Sequence, residues 1–264
     1  MNRTLSGSRK QNIMDMNMKK ILLTGIFILS TFMLSAQLTL GTTGLLNSPS
    51  ADMQPDKMVM LGGNFLHDRI TPNGFPYNTY NYFLNITFLP FLEVAYTCTL
   101  FKATDKFVPE KKGRFVNQDR AFSVRLRALT ERKYRPAVVF GSNDLYTQSN
   151  GGGLMTEESN NQYFNKFYLA VTKHVNVSKT EQIGVHLAYQ YNRRASNRLN
   201  GFSGGISYKP SFAPNLNLIV QYDSKSLFVG ANYLLFKHLF MQVVLQDGQY
   251  FSGGLAYKIY LKGK

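Results

Sequence analysis

The sequence predicts an all-β fold, a transmembrane antiparallel up-and-down β-barrel of about twelve strands. Three observations carry that prediction. Stretches of roughly ten residues alternate with period two between an apolar face and a small or polar one, which is the length and pattern of a strand that crosses a bilayer. Across residues 251–261, for example, Phe251, Leu255, Tyr257 and Ile259 take one side, and Ser252, Gly254, Ala256 and Lys258 the other. One strand template also occurs twice, as Phe202-Ser203-Gly204-Gly205-Ile206-Ser207-Tyr208-Lys209 and as Phe251-Ser252-Gly253-Gly254-Leu255-Ala256-Tyr257-Lys258, with a shorter relative at 228–233. Finally, the chain is 14% aromatic, with 16 Tyr, 20 Phe and no Trp, and only 17% charged, against roughly 25% charged residues in an average soluble domain. A lipid-facing wall averaged with a wet interior has that composition.

The chain opens on an export signal. Lys19-Lys20 precede an apolar run over 21–34, and Leu34-Ser35-Ala36 ends on a small residue, so cleavage is expected after Ala36. The run is short for a membrane helix of ~20 residues, and no cysteine follows it to carry a lipid. Residues 1–15 are polar, which makes Met16 and Met18 alternative starts. The expected division is a cleaved signal peptide at 1–36, an irregular segment at 37–56 and the barrel at 57–264. The formal net charge is +15, and the chain stays basic without its signal, a balance that suits anionic polymers or anionic lipid headgroups. Cys98 is the one cysteine, so no intramolecular disulfide forms. It shares the face of Val94, Tyr96 and Leu100 and reads as a small hydrophobe.

The irregular segment carries Gly41, Gly44, Pro49 and Pro55 and lacks alternation. It is expected either in the periplasm or inside the barrel as a small plug. Strands are expected at 57–66, 79–89, 92–102, 119–130, 134–143 and 162–174, then at 182–193, 201–209, 215–222, 226–236, 239–246 and 250–261. Short connections at 90–91, 131–133, 210–214 and 237–238 alternate with longer polar ones at 67–78, 101–118, 144–161 and 194–200. Bacterial barrels keep short turns in the periplasm and long loops outside, which puts both termini in the periplasm. The run Gln148-Ser149-Asn150-Gly151-Gly152-Gly153 lacks the Gly-Lys-Ser/Thr ending and the following helix of a phosphate cradle. It reads as a flexible outer loop.

Charge on a crossing strand fixes which way the strand faces. Arg125 and Arg127 alternate with Val124, Leu126 and Ala128, and an arginine turned to lipid costs roughly 2–4 kcal/mol at mid-bilayer. They are therefore expected to face the lumen together with Asp119, as are Glu93 opposite Val94 and Lys166 opposite Phe167. Glu93, Asp119, Arg125, Arg127 and Lys166 are the lumen-facing charged candidates. The expectation is of a structural network, with the arginine pair also able to contact an anionic glycan or an acidic partner. No cofactor-binding or metal-binding motif is evident.

Several stretches resemble the YjbH-type outer-membrane proteins linked to exopolysaccharide and capsule production. They are Gly44-Leu45-Leu46-Asn47-Ser48-Pro49-Ser50-Ala51, Leu89-Pro90-Phe91-Leu92-Glu93-Val94 and Asp119-Arg120-Ala121-Phe122-Ser123-Val124-Arg125-Leu126. Glu131 through Val138, Gly141-Ser142-Asn143-Asp144 and Tyr168-Leu169-Ala170-Val171-Thr172-Lys173 continue the series in order. The chain looks like a single-barrel version. It departs from the family pattern after Asp144, where Leu145-Tyr146-Thr147 stand in place of a Gly-Thr-Gly.

The resemblance implies a non-catalytic outer-membrane barrel that assists exopolysaccharide or capsule secretion or assembly. Its implied partners are outer-membrane lipid, an anionic polysaccharide and other secretion-machinery proteins, with no nucleic acid. One alternative is a passive pore or surface-binding barrel. Another is an outer-membrane lipid hydrolase or acyltransferase, for which His186 on an inward face, one strand from Ser203 and Ser207, would supply a base beside a nucleophile.

Overall fold

A computed structural model describes residues 40–72, 75–148, 153–154, 162–192 and 200–261. The expected signal peptide, the tip of the glycine loop and most of the 194–200 connection lie outside them. The first half contributes β1 (Met58–Leu66), β2 (Thr79–Leu89), β3 (Leu92–Lys102), β4 (Phe115–Leu129), β5 (Ala137–Thr147) and β6 (Gly153–Leu154). The second half contributes β7 (Lys166–Asn176), β8 (Gln182–Tyr191), β9 (Gly201–Lys209), β10 (Leu216–Tyr222), β11 (Leu227–Leu235), β12 (Leu239–Gln246) and β13 (Tyr250–Tyr260). The two-residue β6 pairs with the end of β5, and the twelve long strands build the wall.

Each wall strand pairs antiparallel with its neighbours in sequence, and β1 pairs with β13 to close the cylinder, Met58 standing opposite Tyr260. Closure leaves no row of unpaired backbone groups at a sheet edge, which lipid could not satisfy. Burial alternates as the sequence pattern requires. In β12, Phe240, Gln242, Val244 and Gln246 are buried while Met241, Val243 and Leu245 are exposed. Outward apolar side chains such as Leu187 at 54% and Leu255 at 53% recur round the whole wall. An apolar band that continuous is a lipid-facing surface rather than the scatter of a soluble protein. Exposed aromatics collect at both ends of the strands. Tyr80, Tyr189 and Phe202 lie towards the long connections, and Phe88, Phe212 and Phe236 lie at the short turns. Such paired girdles sit at the two bilayer interfaces.

Boundaries move at a few strand ends. β4 starts at Phe115 rather than 119, because the β3–β4 ladder continues to Lys102 opposite Phe115, and a single 3-10 turn at Pro109–Lys111 fills the shortened loop. β5 starts at Ala137 rather than 134, after the Arg132–Arg135 bridge and Pro136, which has no N–H to offer a ladder. It also runs on to Thr147, four residues past the expected end, through a register shift in which Phe122 opposes Tyr146 and Val124 opposes Ser142. Asp144 lies in the resulting bulge with φ 50°, and Ser123 Oγ accepts its N–H. β7 starts at Lys166 rather than 162, because Gln162 and Asn165 turn inward to donate to the Asp144 carbonyl.

Of the two placements open for the irregular segment, the structure takes the plug. Residues 40–50 are buried inside the barrel. Leu45 and Leu46 pack against Ile219, Phe228 and Val244 of β10, β11 and β12. On the return leg, Ala51 and Met53 pack against inward residues of β5, β7 and β8, among them Val139, Ala170 and Ala188. Prolines and glycines keep the segment out of the sheet, so its backbone groups need partners from the wall.

Candidate functional site

The wall supplies those partners from polar side chains spaced along inward positions. Thr43 donates its backbone N–H and its hydroxyl to the Glu93 carboxylate, at 2.7 Å each. At the crest of the plug, the Gln221 side-chain oxygen accepts the N–H groups of Leu46 and Asn47 at 2.8 and 3.1 Å. There Asn47 also donates to the Asp223 carboxylate at 2.7 Å. On the way down Ala51 donates its N–H to Thr172 Oγ1 at 2.8 Å. Lys258 donates to the Gln54 side chain at 3.1 Å. Plug and wall thus exchange hydrogen bonds at successive points from Thr43 to Gln54.

Glu93 and Arg125 anchor this contact. They are direct cross-strand partners on β3 and β4, both fully buried, with Arg125 Nη1 donating to Glu93 Oε2 at 3.0 Å. The other guanidinium nitrogen of Arg125 donates to the carbonyl oxygens of Ser50 and Asp52. One arginine therefore satisfies a wall carboxylate and two plug carbonyls, a geometry its planar fork suits and a lysine does not. Gly141 opposes Arg125 on one side and Tyr168 on the other, and the Tyr168 ring lies so close over it that a Cβ there would fall 2.2 Å from Cζ.

The remaining charged candidates are spread along the lumen. Lys166 is buried and donates to the Asn47 carbonyl at 3.4 Å. Asp119 is buried beside Thr147, 3.4 Å from its hydroxyl. Arg127 is half-buried, towards the short-turn end. Glu93, Arg125 and Lys166 thus each contact the plug, Lys166 at Asn47 and the pair at Thr43, Ser50 and Asp52, whereas Asp119 belongs to the opposite end of β4 from Arg127. Cys98 is buried and free.

A second constellation forms near the short-turn end, and no spacing in the sequence announces it. Asp52 of the plug, His174 of β7 and His186 of β8 bring one ligand atom each to within 4.8 Å of one another. His174 Nε2 lies 3.6 Å from Asp52 Oδ1, and its Nδ1 lies 2.7 Å from Glu131 Oε2 in the β4–β5 turn. Burial works to raise the Glu131 carboxyl, but hydrogen bonds from Lys173 and His174 hold it below the usual carboxylate value. Burial also works to raise Asp52, and His186, His174, Lys209 and Arg125 together bring it below its usual value. The signal sequence reading lacked is tertiary: the plug residue and the two wall histidines are distant in the chain and meet only because the plug enters the lumen.

The Ser–His pairing exists in part. His186 Nε2 lies 2.9 Å from Ser207 Oγ, while Ser203 is opposite Ala188 rather than His186. The third member of a triad does not engage. His186 Nδ1 faces Thr172 Oγ1 at 3.0 Å and is 3.8 Å from Asp52, beyond hydrogen-bonding distance. Ser207 is itself buried, at 6% exposure.

No curated protein matches the chain. Among solved structures it is similar to the KdgM porin in complex with disordered oligogalacturonate, at 11% identity and a TM-score of 0.44, over 76% of this chain and 98% of that one. It is also similar to outer membrane phospholipase A from Escherichia coli, at 13% identity and a TM-score of 0.38, over 79% and 97%. Residues 36–260 match the family model YjbH, described as exopolysaccharide biosynthesis protein YbjH. With most of its length matched in this way, the chain belongs to the YjbH family of exopolysaccharide biosynthesis proteins.

Proposed function

We propose that this barrel assists exopolysaccharide or capsule secretion or assembly at the outer membrane, without catalysing a reaction. The observation that carries the reading is the family match over 36–260. The plug supports a gated or scaffolding role over a passive pore, because the buried Glu93–Arg125 pair and the Gln221 carbonyl-type acceptor hold it by several hydrogen bonds at once. An anionic glycan that met Arg125 would first have to displace Ser50 and Asp52 from its guanidinium. The disengaged carboxylate and buried serine beside His186 favour a non-enzymatic lumen.

The test is a deletion strain assayed for surface and periplasmic polysaccharide separately, with the purified barrel assayed in liposomes. Loss of surface polymer with low small-solute permeability supports the reading. Normal surface polymer with high permeability would replace it by a pore, and phospholipid hydrolysis by the pure protein would replace it by an enzyme.

A further inference from the structure

We infer that Asp52, His174 and His186 form a binding site for a divalent transition metal of the zinc class, bridging the plug to the barrel wall. The donor set is two imidazoles and a carboxylate, which suits zinc and not the all-oxygen preference of magnesium or calcium. Bonds of about 2.0–2.1 Å in a tetrahedron set neighbouring ligand atoms roughly 3.3 Å apart. His174 Nε2 lies 3.6 Å from Asp52 Oδ1 and His186 Nδ1 3.8 Å from Asp52 Oδ2, and one ligand atom from each of the three residues lies within 4.8 Å of the others, so closing on an ion takes side-chain shifts of up to about an ångström. Three protein ligands leave a fourth position for water.

Three further features suit metal ligation. His174 presents Nε2 to the site while Nδ1 is held by the Glu131 carboxylate at 2.7 Å, the outer-shell arrangement that orients a ligating histidine and raises its basicity. His186 has its Nε2 on Ser207 at 2.9 Å, which fixes the ring and leaves Nδ1 on the Asp52 side, where Thr172 Oγ1 is its neighbour at 3.0 Å. Gly184 backs the pair of rings: a Cβ there would fall 2.7 Å from His186 Nε2 and 2.9 Å from His174 Cδ2. The space beside the imidazoles exists because that position carries no side chain. An ion can reach it, because the side chains of Asp52 and His174 are 19% and 15% exposed at the short-turn end of the lumen. Bound there, it would tie Asp52 of the plug to β7 and β8 of the wall.

The experiment uses the full barrel without a polyhistidine tag, folded in detergent micelles and stripped with chelator. Zn2+ titration by calorimetry should show one saturable site per chain, and Co2+ should give the intense visible bands of four-coordinate N/O ligation. H174Q and D52N should each weaken Zn2+ binding by about tenfold or more, while H238Q, at a histidine on the far side of the wall, leaves it unchanged. Folding of each variant is checked by heat-modifiable migration. Absence of saturable Zn2+ binding and of the Co2+ bands in the wild-type barrel overturns the site without recourse to any variant. Equal weakening by H238Q, or binding unchanged in folded H174Q, overturns the assignment of its ligands.

Discussion

Arg125 is fully buried with one carboxylate and two carbonyls as partners, and that makes its neighbours interdependent. Removing one member of a buried ion pair leaves the other charge uncompensated and costs roughly 3–5 kcal/mol. E93Q and R125Q are each expected to lower the unfolding free energy of the barrel in urea by an amount of that order. The double variant should lose less than the sum of the two, and strict additivity would mean the pair is not coupled. Gly141 makes a different kind of demand. Because a Cβ there meets ring carbons of Tyr168, G141A is expected to destabilise the barrel. Y168F should not relieve G141A, since the collision is with the ring, whereas Y168A should relieve it. The readout is the same urea denaturation.

At the scale of the element, strand and plug respond to charge in different ways. Leu126 and Val243 face outward at 47% and 50% exposure. V243R, central in β12, is expected to cost about 2–4 kcal/mol in the bilayer and L126R, nearer the short-turn end of β4, less, and both should reduce the folded fraction on a heat-modifiability gel. Ser123 and Gln242 face inward and are buried, at 2% and 5%. The lumen is filled there, so an arginine at Ser123 competes with the β5 bulge that hydrogen-bonds to it. S123R is therefore expected to loosen the β4–β5 bulge while the lipid-facing wall still assembles. Equal loss of assembly from outward and inward substitutions would contradict the register, since a one-residue slip exchanges every face. Deleting residues 40–54 removes the plug and leaves all strands. Small-solute entry into liposomes should rise well above that of the full barrel, and unchanged entry would mean the wall alone occludes the lumen.

For the whole molecule, the long connections lie at one end of the barrel, together with the tight turns at 223–226 and 247–249, and the other end carries only the shorter connections. With short turns in the periplasm, epitope tags within 103–114 should label on intact cells. Tags at 131–133 or 237–238 should label only after the outer membrane is opened. The reverse pattern would invert the barrel and move the Asp52–His174–His186 cluster from the periplasmic to the external mouth.

What the sequence determined by itself was the wall. Lipid on one side and a polar interior on the other impose a period of two on every crossing strand, so twelve strands, their faces and most of their ends are local properties that a single chain displays. The same reasoning located Glu93, Arg125 and Lys166 on inward positions, because a charge in hydrocarbon is costly wherever it occurs. Residues 40–56 carry no such periodicity. Their fate depended on whether Glu93, Gln221, Thr172 and Lys258, scattered over strands far apart in the chain, present hydrogen-bonding groups to the same irregular backbone. Only the closed cylinder brings those groups together. The tertiary structure alone therefore decided that the segment is a plug, that Arg125 serves it, and that Asp52 meets His174 and His186.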